Sequence, residues 1–496
     1  MRHFLNLKRI VTAMLAMAML VTSMLACLAS CADDEPASDT DTPDVLADIT
    51  TADVTTTVAE TAYIDTLEKR DMGKLDIVFY GQNLVDRQNF YMEEKIGDRV
   101  NDTMHERDVA VEEHLNVTLT FISEGDRSVV KNTAKNSILA GDEDYNVILT
   151  SISDGMNTLT TSDVLYDLRQ IPYLSLDSVY WNKSMYERLE INGAQYFTTG
   201  PISYSFYLTP INMRANLRLI QEYGLEDPYE LVLSGKWTAD KLSEMAKDKY
   251  QDLNQNATAD VGDFFGLIMD GTFGNALYTG AGLDTISRKG GEYELTLDSE
   301  QSLNLIEKYA SLFGDRKQYL NDLKGSEEWE TEIFKAGNCI FQPSTMLGTI
   351  ELRDMKDDYA ILPIPKWDEA QEEYYTSCNT WLPSGVAVPK NCSIIDDLGL
   401  VLETMAYYSQ EMVTPAVYEI TLQGKVSRDD NSTKMLDIIY SSAAFDFVTA
   451  FNFADLGNIL REMVTGDQQN FVSRYARLKK SAQAELDKVM TFAEEN

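Results

Sequence analysis

At 496 residues, 44% of them hydrophobic and 10% aromatic, the chain has material for roughly two to four domains with sizeable cores and is not disordered as a whole. Its 42 Lys and Arg against 80 Asp and Glu give a formal net charge of -38, which excludes an extended nucleic-acid surface and disfavours a strongly anionic ligand. Five Cys in this length exclude a disulfide scaffold, and three His argue against a histidine-rich metal or catalytic centre.

Arg2, Lys8 and Arg9 precede an uncharged apolar run from Ile10 to Leu28, the order of a secretory leader. The run is nearly long enough to span a bilayer, so a transmembrane anchor is the alternative. Both readings place the rest of the chain outside the cell. The run ends in Leu28-Ala29-Ser30-Cys31, which resembles the lipobox of bacterial lipoproteins; Cys27 fits that pattern less well. The resemblance implies removal of residues 1–30 as a signal peptide and lipidation of Cys31. Acyl chains contribute about 0.8 kcal/mol per buried CH2, so several of them hold a protein at a membrane. Residues 31–71, rich in Asp, Thr, Ala and Ser with Pro36 and Pro43, read as the lipidated Cys and a disordered acidic tether.

Lys74 to Tyr80 reads as a first strand, followed by Gly81. A helix follows with Val100, Met104, Val111 and Leu115 on one stripe, then an alternating strand from Val117 to Ile122. Val129 to Ala140 reads as a helix ended by Gly141, and Tyr145 to Thr150 as a third strand. Alternating strands and helices predict a parallel sheet wound by right-handed crossovers. Further on, Ser299 caps a helix that turns Leu303, Ile306, Tyr309 and Leu312 inward. Asn338 to Phe341, Tyr359 to Leu362 and Gly385 to Val388 read as short strands. A long amphipathic helix carries Phe471, Tyr475, Leu478, Ala482, Leu486 and Val489. There is no internal repeat.

Several strings then occur in a particular order. They are Glu222-Tyr-Gly-Leu-Glu-Asp-Pro-Tyr-Glu-Leu231 with Gly235-Lys-Trp-Thr238; Phe334-Lys-Ala-Gly-Asn-Cys-Ile-Phe341; Tyr359-Ala-Ile-Leu-Pro-Ile-Pro-Lys366; Ser384-Gly-Val-Ala-Val-Pro-Lys390; and Gly424-Lys-Val-Ser-Arg428 with Met435-Leu-Asp-Ile-Ile439. No single string is diagnostic. Their order behind a lipobox resembles the family 1 extracellular solute-binding proteins, the receptor components of ABC-type importers, many of which bind carbohydrates. The resemblance implies an α/β, two-lobed, periplasmic-binding-protein-like (type II) fold with an interlobe cleft and crossover hinge segments. It places the first lobe at 72–203 plus 347–410 and the second at 204–346 plus 411–496. It also implies a monomeric receptor, lipid-anchored on the extracytoplasmic face of the cell membrane. Such a receptor closes on a carbohydrate, an oligosaccharide in particular, and delivers it to ABC-type permease subunits.

A sugar offers hydroxyls and flat C–H faces, so its cleft needs aromatic faces and directional polar groups. Trp381, in Ser377-Cys-Asn-Thr-Trp-Leu-Pro383, lies in a loop that looks like the family segment lining the cleft; a core or surface Trp is the equal alternative. Asn379 is its neighbour. Asn83 follows the first strand, and Ser151 and Ser153 follow the third. Polar groups at the carboxyl edge of an open sheet commonly meet ligands, although turn chemistry alone accounts for Gly and Asn there. Thr345 follows a later strand where the chain returns to the first lobe. Tyr204 and Tyr207 lie in the first crossover, where hinge packing explains them equally well. Trp237 is expected to pack the second lobe.

Asp252, Asn254, Asn256, Asp260 and Asp263 stand at positions 1, 3, 5, 9 and 12 of an EF-hand-like loop, a pattern that wraps Ca2+. Ala257 replaces the Gly of the sharp turn and Asp263 is shorter than the usual Glu, so a solvated Asx-rich loop is the favoured reading and a structural Ca2+ the other. No further cofactor is implied. Cys378 and Cys392 either pair, leaving Cys339, or all three are buried thiols. The enzyme alternative is a lipid-anchored glycoside hydrolase or esterase; no Gly-x-Ser-x-Gly elbow, His-Glu-x-x-His motif or P-loop supports it. An anchored peptide- or metal-binding receptor of the same architecture is a third class, although a metal receptor usually needs a His or Cys cluster that the sequence lacks.

Overall fold

The computed structural model describes residues 63–82, 90–269, 272–289, 292–315, 319–321, 327–422, 430–461 and 471–494. The leader, Cys31, Asn83 and the string from Gly424 to Arg428 lie outside the described residues. Among the described residues no helix is long and apolar enough to cross a membrane.

Among the described residues thirteen short strands form two principal sheets and two small ones. In chain order they are β1 (Leu75–Gly81), β2 (Val117–Ser123), β3 (Val147–Ser151), β4 (Ile211–Asn216), β5 (Phe265–Met269), β6 (Ile286–Lys289), β7 (Glu292–Leu295), β8 (Leu320–Asn321), β9 (Cys339–Thr345), β10 (Tyr359–Leu362), β11 (Thr376–Ser377), β12 (Ser384–Ala387) and β13 (Ala443–Ala444). The first lobe holds the sheet ordered β12-β3-β1-β2 and the second the sheet ordered β10-β4-β9-β5-β8. β1, β2 and β3 are parallel, as the alternation of elements predicts, but β12 joins antiparallel to β3. The second sheet is also mixed: β4 runs antiparallel to both neighbours, while β5 is parallel to β9 and β8.

Local chemistry sets the helix ends. Asp98 accepts from the Val100 and Asn101 N–H groups and caps the helix Arg99–Leu115. Asp126 does the same for Arg127–Ala140, which is why this helix starts before the apolar residue Val129 that announces it in the sequence. Gly141 ends it at φ +84, where a side chain is disfavoured. Ser299 caps Glu300–Phe313 as expected.

Two lobe boundaries differ from expectation. The return to the first lobe, expected at residue 347, comes later, because β10 pairs with β4 (Ala360 opposite Ala215) and so belongs to the second sheet. The chain crosses back through β11, which pairs with β13, and reaches the first sheet only at β12. The final crossing, expected at 411, also comes later. The helix Thr414–Leu422 still packs on Arg99–Leu115 of the first lobe, whereas Asp430–Ser441 lies on β10. The tether is shorter than expected too: its last part, from Tyr63, is packed on the first lobe.

One core continues across both lobes and the crossovers, from Tyr80 and Met104 through Tyr207 to Leu486. A second fills the outer side of the first lobe around Ile77, Phe79 and Trp181, and a third lies under the second sheet around Phe265 and Phe334. Trp237 is fully buried in the second lobe and donates its indole N–H to the Pro363 carbonyl at 2.8 Å, the packing role expected of it.

Candidate cleft at the crossovers

The crossover between β11 and β12 carries the residues Ser377 to Trp381 along one side of a cleft of about 330 Å³. Ile211 and Asn275 of the second lobe line it, and a further stretch of its wall comes from residues between Thr449 and Arg461. That stretch is built on unusual backbone. The helices Phe447–Phe451 and Gly457–Arg461 are joined through Asn452, Ala454 and Asp455, which sit at φ +51, +44 and +65. Left-handed conformations at non-glycine residues cost of order 1 kcal/mol or more each and persist where surrounding contacts impose them. Here the Ala454 N–H is held by Glu485 at 2.8 Å, and Asn458 donates to Asp455 at 2.7 Å.

Trp381 stands at the mouth, 47% exposed, with the Arg127 guanidinium 5.1 Å from its ring centroid. A cation over a tryptophan face stabilises the pair and fixes the ring's orientation. The Trp381 N–H donates to the Asn379 side chain at 2.9 Å, and the Asn379 N–H donates to the Thr209 carbonyl at 3.0 Å. Asn275 also lines the cleft, and its buried side-chain oxygen has no hydrogen-bond partner among the described residues.

Of the residues expected in a binding site, Trp381 and Asn379 line this cleft together. Ser153 lies just behind it, tied to Thr380 and Thr449. Ser151 is buried in β3 opposite Ser384, and neither hydroxyl has a partner among the described residues. Tyr204 and Tyr207 are buried in the short helix Tyr204–Tyr207 of the first crossover, and the Tyr207 hydroxyl pairs with that of Thr414. Thr345 caps the helix Met346–Ile350 by accepting from the Gly348 N–H at 3.3 Å. These last four do not line the cleft. Asn452, Asp455, Asn458, Arg461 and Asn275 do, and the sequence reading missed them. The cluster of turn-prone residues around Asn452-Phe-Ala-Asp455 is the signal that pointed there.

The Asx-rich loop closes on itself. The Asp252 carboxylate accepts from the Asn256 and Ala257 N–H groups, and Asp260 from Gly262 N–H and the Asn254 and Asn256 amides. Asp263 is buried and takes N–H groups from Leu253 and Asp260 and the Tyr250 hydroxyl. Ala257 adopts φ +58, the conformation glycine supplies at this position of a calcium loop. Among the described residues no three His, Cys, Asp or Glu side chains gather as a metal site. The loop's own N–H and amide donors meet these acceptors.

Cys339, Cys378 and Cys392 are free buried thiols, so the expected alternative of a Cys378–Cys392 pair is not what forms. Cys378 lies in the crossover against Ala444, while Cys392 packs in the first-lobe core with Val388. Burial pushes the Cys378 thiol up to about 12, which keeps it protonated and a poor nucleophile at neutral pH.

This is the two-lobed mixed α/β architecture of the type II periplasmic-binding-protein-like fold. No protein-family model matches the chain, and no curated protein does. Many solved structures match, prominent among them sugar-binding substrate-binding proteins of ABC transporters. A cyclo/maltodextrin-binding protein complexed with maltotetraose aligns at a TM-score of 0.54 and 11% identity, over 85% of this chain and 97% of its own. The maltose-binding periplasmic protein MalE from Listeria monocytogenes, in complex with maltose, aligns at 0.52 and 12% identity, over 85% and 99%. UgpB from Mycobacterium tuberculosis, in complex with glycerophosphocholine, aligns at 0.50 and 14% identity, over 84% and 99%. At these identities the likeness is one of fold.

Proposed function

We propose that this chain is an extracytoplasmic solute-binding protein that captures a carbohydrate, an oligosaccharide, and presents it to an ABC-type permease. The reading includes a lipid anchor at Cys31 and a monomeric receptor. The observation that carries it is the cleft itself. A half-exposed Trp381, braced by Arg127, lines it together with Asn and Thr side chains, Asn275 and Asn458 among them. A ring for C–H faces and amides for hydroxyls are what a neutral polyol requires.

The charges agree. Among the described lining residues Arg461 is the one cation and Asp455 the one carboxylate. They leave the wall without net charge, which favours a ligand without net charge over one of strong single charge. A single carboxylate also falls short of the pair that glycoside hydrolysis ordinarily uses. Capture without chemistry follows from hinge closure: a ligand that touches both lobes only when they are together shifts the population toward the closed form.

A thermal-shift and calorimetric screen tests this. The probes are maltose, maltotetraose, other mono- and oligosaccharides, glycerophosphocholine and short peptides. The expected result is stabilisation by one or more oligosaccharides, which are recovered intact; a ligand at about 100 times its Kd contributes about 2.7 kcal/mol. Binding of glycerophosphocholine or peptides alone, or release of shorter sugars, would overturn it.

A further inference from the structure

The folded unit begins before its first strand. Residues 63–74 run along the outer side of the first lobe, and their contacts are specific. The Tyr63 ring stacks on Tyr180 at a centroid distance of 4.7 Å, and Leu67 and Met72 pack on the first-lobe core. Arg70 pairs with Asp397 at 2.5 Å and donates to the Tyr173 hydroxyl at 3.0 Å. The Met72 N–H donates to the Leu115 carbonyl at 2.9 Å.

The centre of this contact is Glu403, a fully buried carboxylate on the helix Ile395–Tyr408. One of its oxygens, Oε2, accepts from the Trp181 indole N–H at 2.7 Å and the Ser175 N–H at 3.1 Å. The other, Oε1, accepts from the Tyr63 hydroxyl at 2.7 Å, its one donor among the described residues. A carboxylate taken out of water is costly unless its oxygens are hydrogen-bonded. The first lobe therefore supplies half of what Glu403 needs, and the segment entering from the N-terminus supplies the other half.

We propose that residues 63–72 form a docked strap, plugged by Tyr63 over Glu403, that fixes where the N-terminal segment leaves the domain. All hydrogen bonds and ion pairs of the strap among the described residues are internal or go to the first lobe. The second lobe is thus left free to swing about the crossovers without pulling on that exit point. This last consequence rests on the hinge-closing receptor proposed above; the docking does not.

The test uses the full chain and needs no ligand, so its failure is separable from failure of the receptor reading. Trypsin cleavage after Lys69 and Arg70 reports the undocked strap, with cleavage at second-lobe sites as the internal reference. Tyr63→Ala is expected to speed strap cleavage about tenfold and leave the second-lobe sites unchanged, because local opening controls access. Tyr63→Phe keeps the ring, loses the hydroxyl and is expected to fall between the two. Unchanged strap cleavage in Tyr63→Ala would overturn the proposal. So would a uniform rise at all sites, which is the mark of lost whole-domain stability.

Discussion

The hydroxyl of Ser153 reaches the backbone carbonyl of Thr449 at 2.9 Å, joining the loop after β3 in the first lobe to the wall of the cleft that belongs to the second. The Thr380 hydroxyl meets both groups, and the Ser153 N–H donates to the Thr380 carbonyl at 3.1 Å. One turn on, the Asn157 amide donates to the Phe451 carbonyl at 2.8 Å. On the far side Asp446 caps the helix of Thr449 and holds the Thr285 hydroxyl at 2.5 Å, so this helix is fastened to the second lobe. The crossover loop and both lobes thus converge on one serine. Removing a hydrogen bond of this kind costs about 1 kcal/mol, or about fivefold in an equilibrium. Ser153→Ala is expected to weaken ligand affinity about fivefold and enlarge the ligand-free radius of gyration. Calorimetry and small-angle scattering check the two; an unchanged pair of values would show that the contact does not hold the lobes.

Trp381 is held from one side by Arg127 and packs into no core. Its removal takes away a stacking surface without opening a cavity. Trp381→Ala is therefore expected to reduce affinity for whichever sugar the screen identifies by about five- to thirtyfold, since aromatic contacts of this size are worth about 1–2 kcal/mol. The melting temperature is expected to move little. A large drop in stability with unchanged affinity would make Trp381 a packing residue.

Much of the framework was legible because it is written locally. The strand at Leu75–Gly81, the helix closed by Gly141 and the helix Phe471–Glu494 each carry their own periodicity and end signals. Which sheet a strand joins is not written locally. Tyr359–Leu362 reads as a strand in any context, but only its register with Asn216 to Met213 assigns it to the second lobe. The same distinction divides the cleft. Trp381 announces itself as an aromatic in a polar loop. Asn452 and Asp455 become wall residues through a left-handed turn that no hydrophobic pattern marks, and Asn275 through the approach of two helices distant in sequence. In the sequence Glu403 is one acid among 80 Asp and Glu, and only the fold shows it buried beneath Tyr63.

That approach of helices makes Gly274 a sensitive position. A Cβ there would lie 2.1 Å from the Leu460 carbonyl oxygen and 3.1 Å from its carbon, backbone atoms that cannot swing aside. Gly274→Ala must push the helix Thr272–Gly280 away from Gly457–Arg461, displacing Asn275 relative to Asn458 and Arg461. Overpacking of this sort costs roughly 1–3 kcal/mol. The variant is expected to show a lower denaturant midpoint together with weaker ligand binding. A midpoint equal to that of the parent protein would mean that the two helices are not in this contact.

Glu403 gives the chain a pH dependence whose sign is fixed by its surroundings. Burial raises its carboxyl above the ordinary value of 4.5, against the lowering effect of hydrogen bonds from Trp181, Tyr63 and Ser175. The folded state then holds the proton more tightly than the unfolded one. The associated stability is complete below about pH 4.5 and is lost as pH rises through the folded-state value. Glu403→Gln cannot ionise, and the Tyr63 hydroxyl can turn to accept from the new amide, so the strap keeps a partner. The free energy of unfolding of the parent protein is thus expected to decline relative to that of Glu403→Gln as pH is raised from 4.5 toward 7. Denaturant titrations of both proteins across that range check it. The difference between them cancels the repulsion among the many other acids, which acts on both alike. Parallel curves would place Glu403 at its ordinary value. A parent protein that gains on the variant as pH rises would show that its donors outweigh its burial.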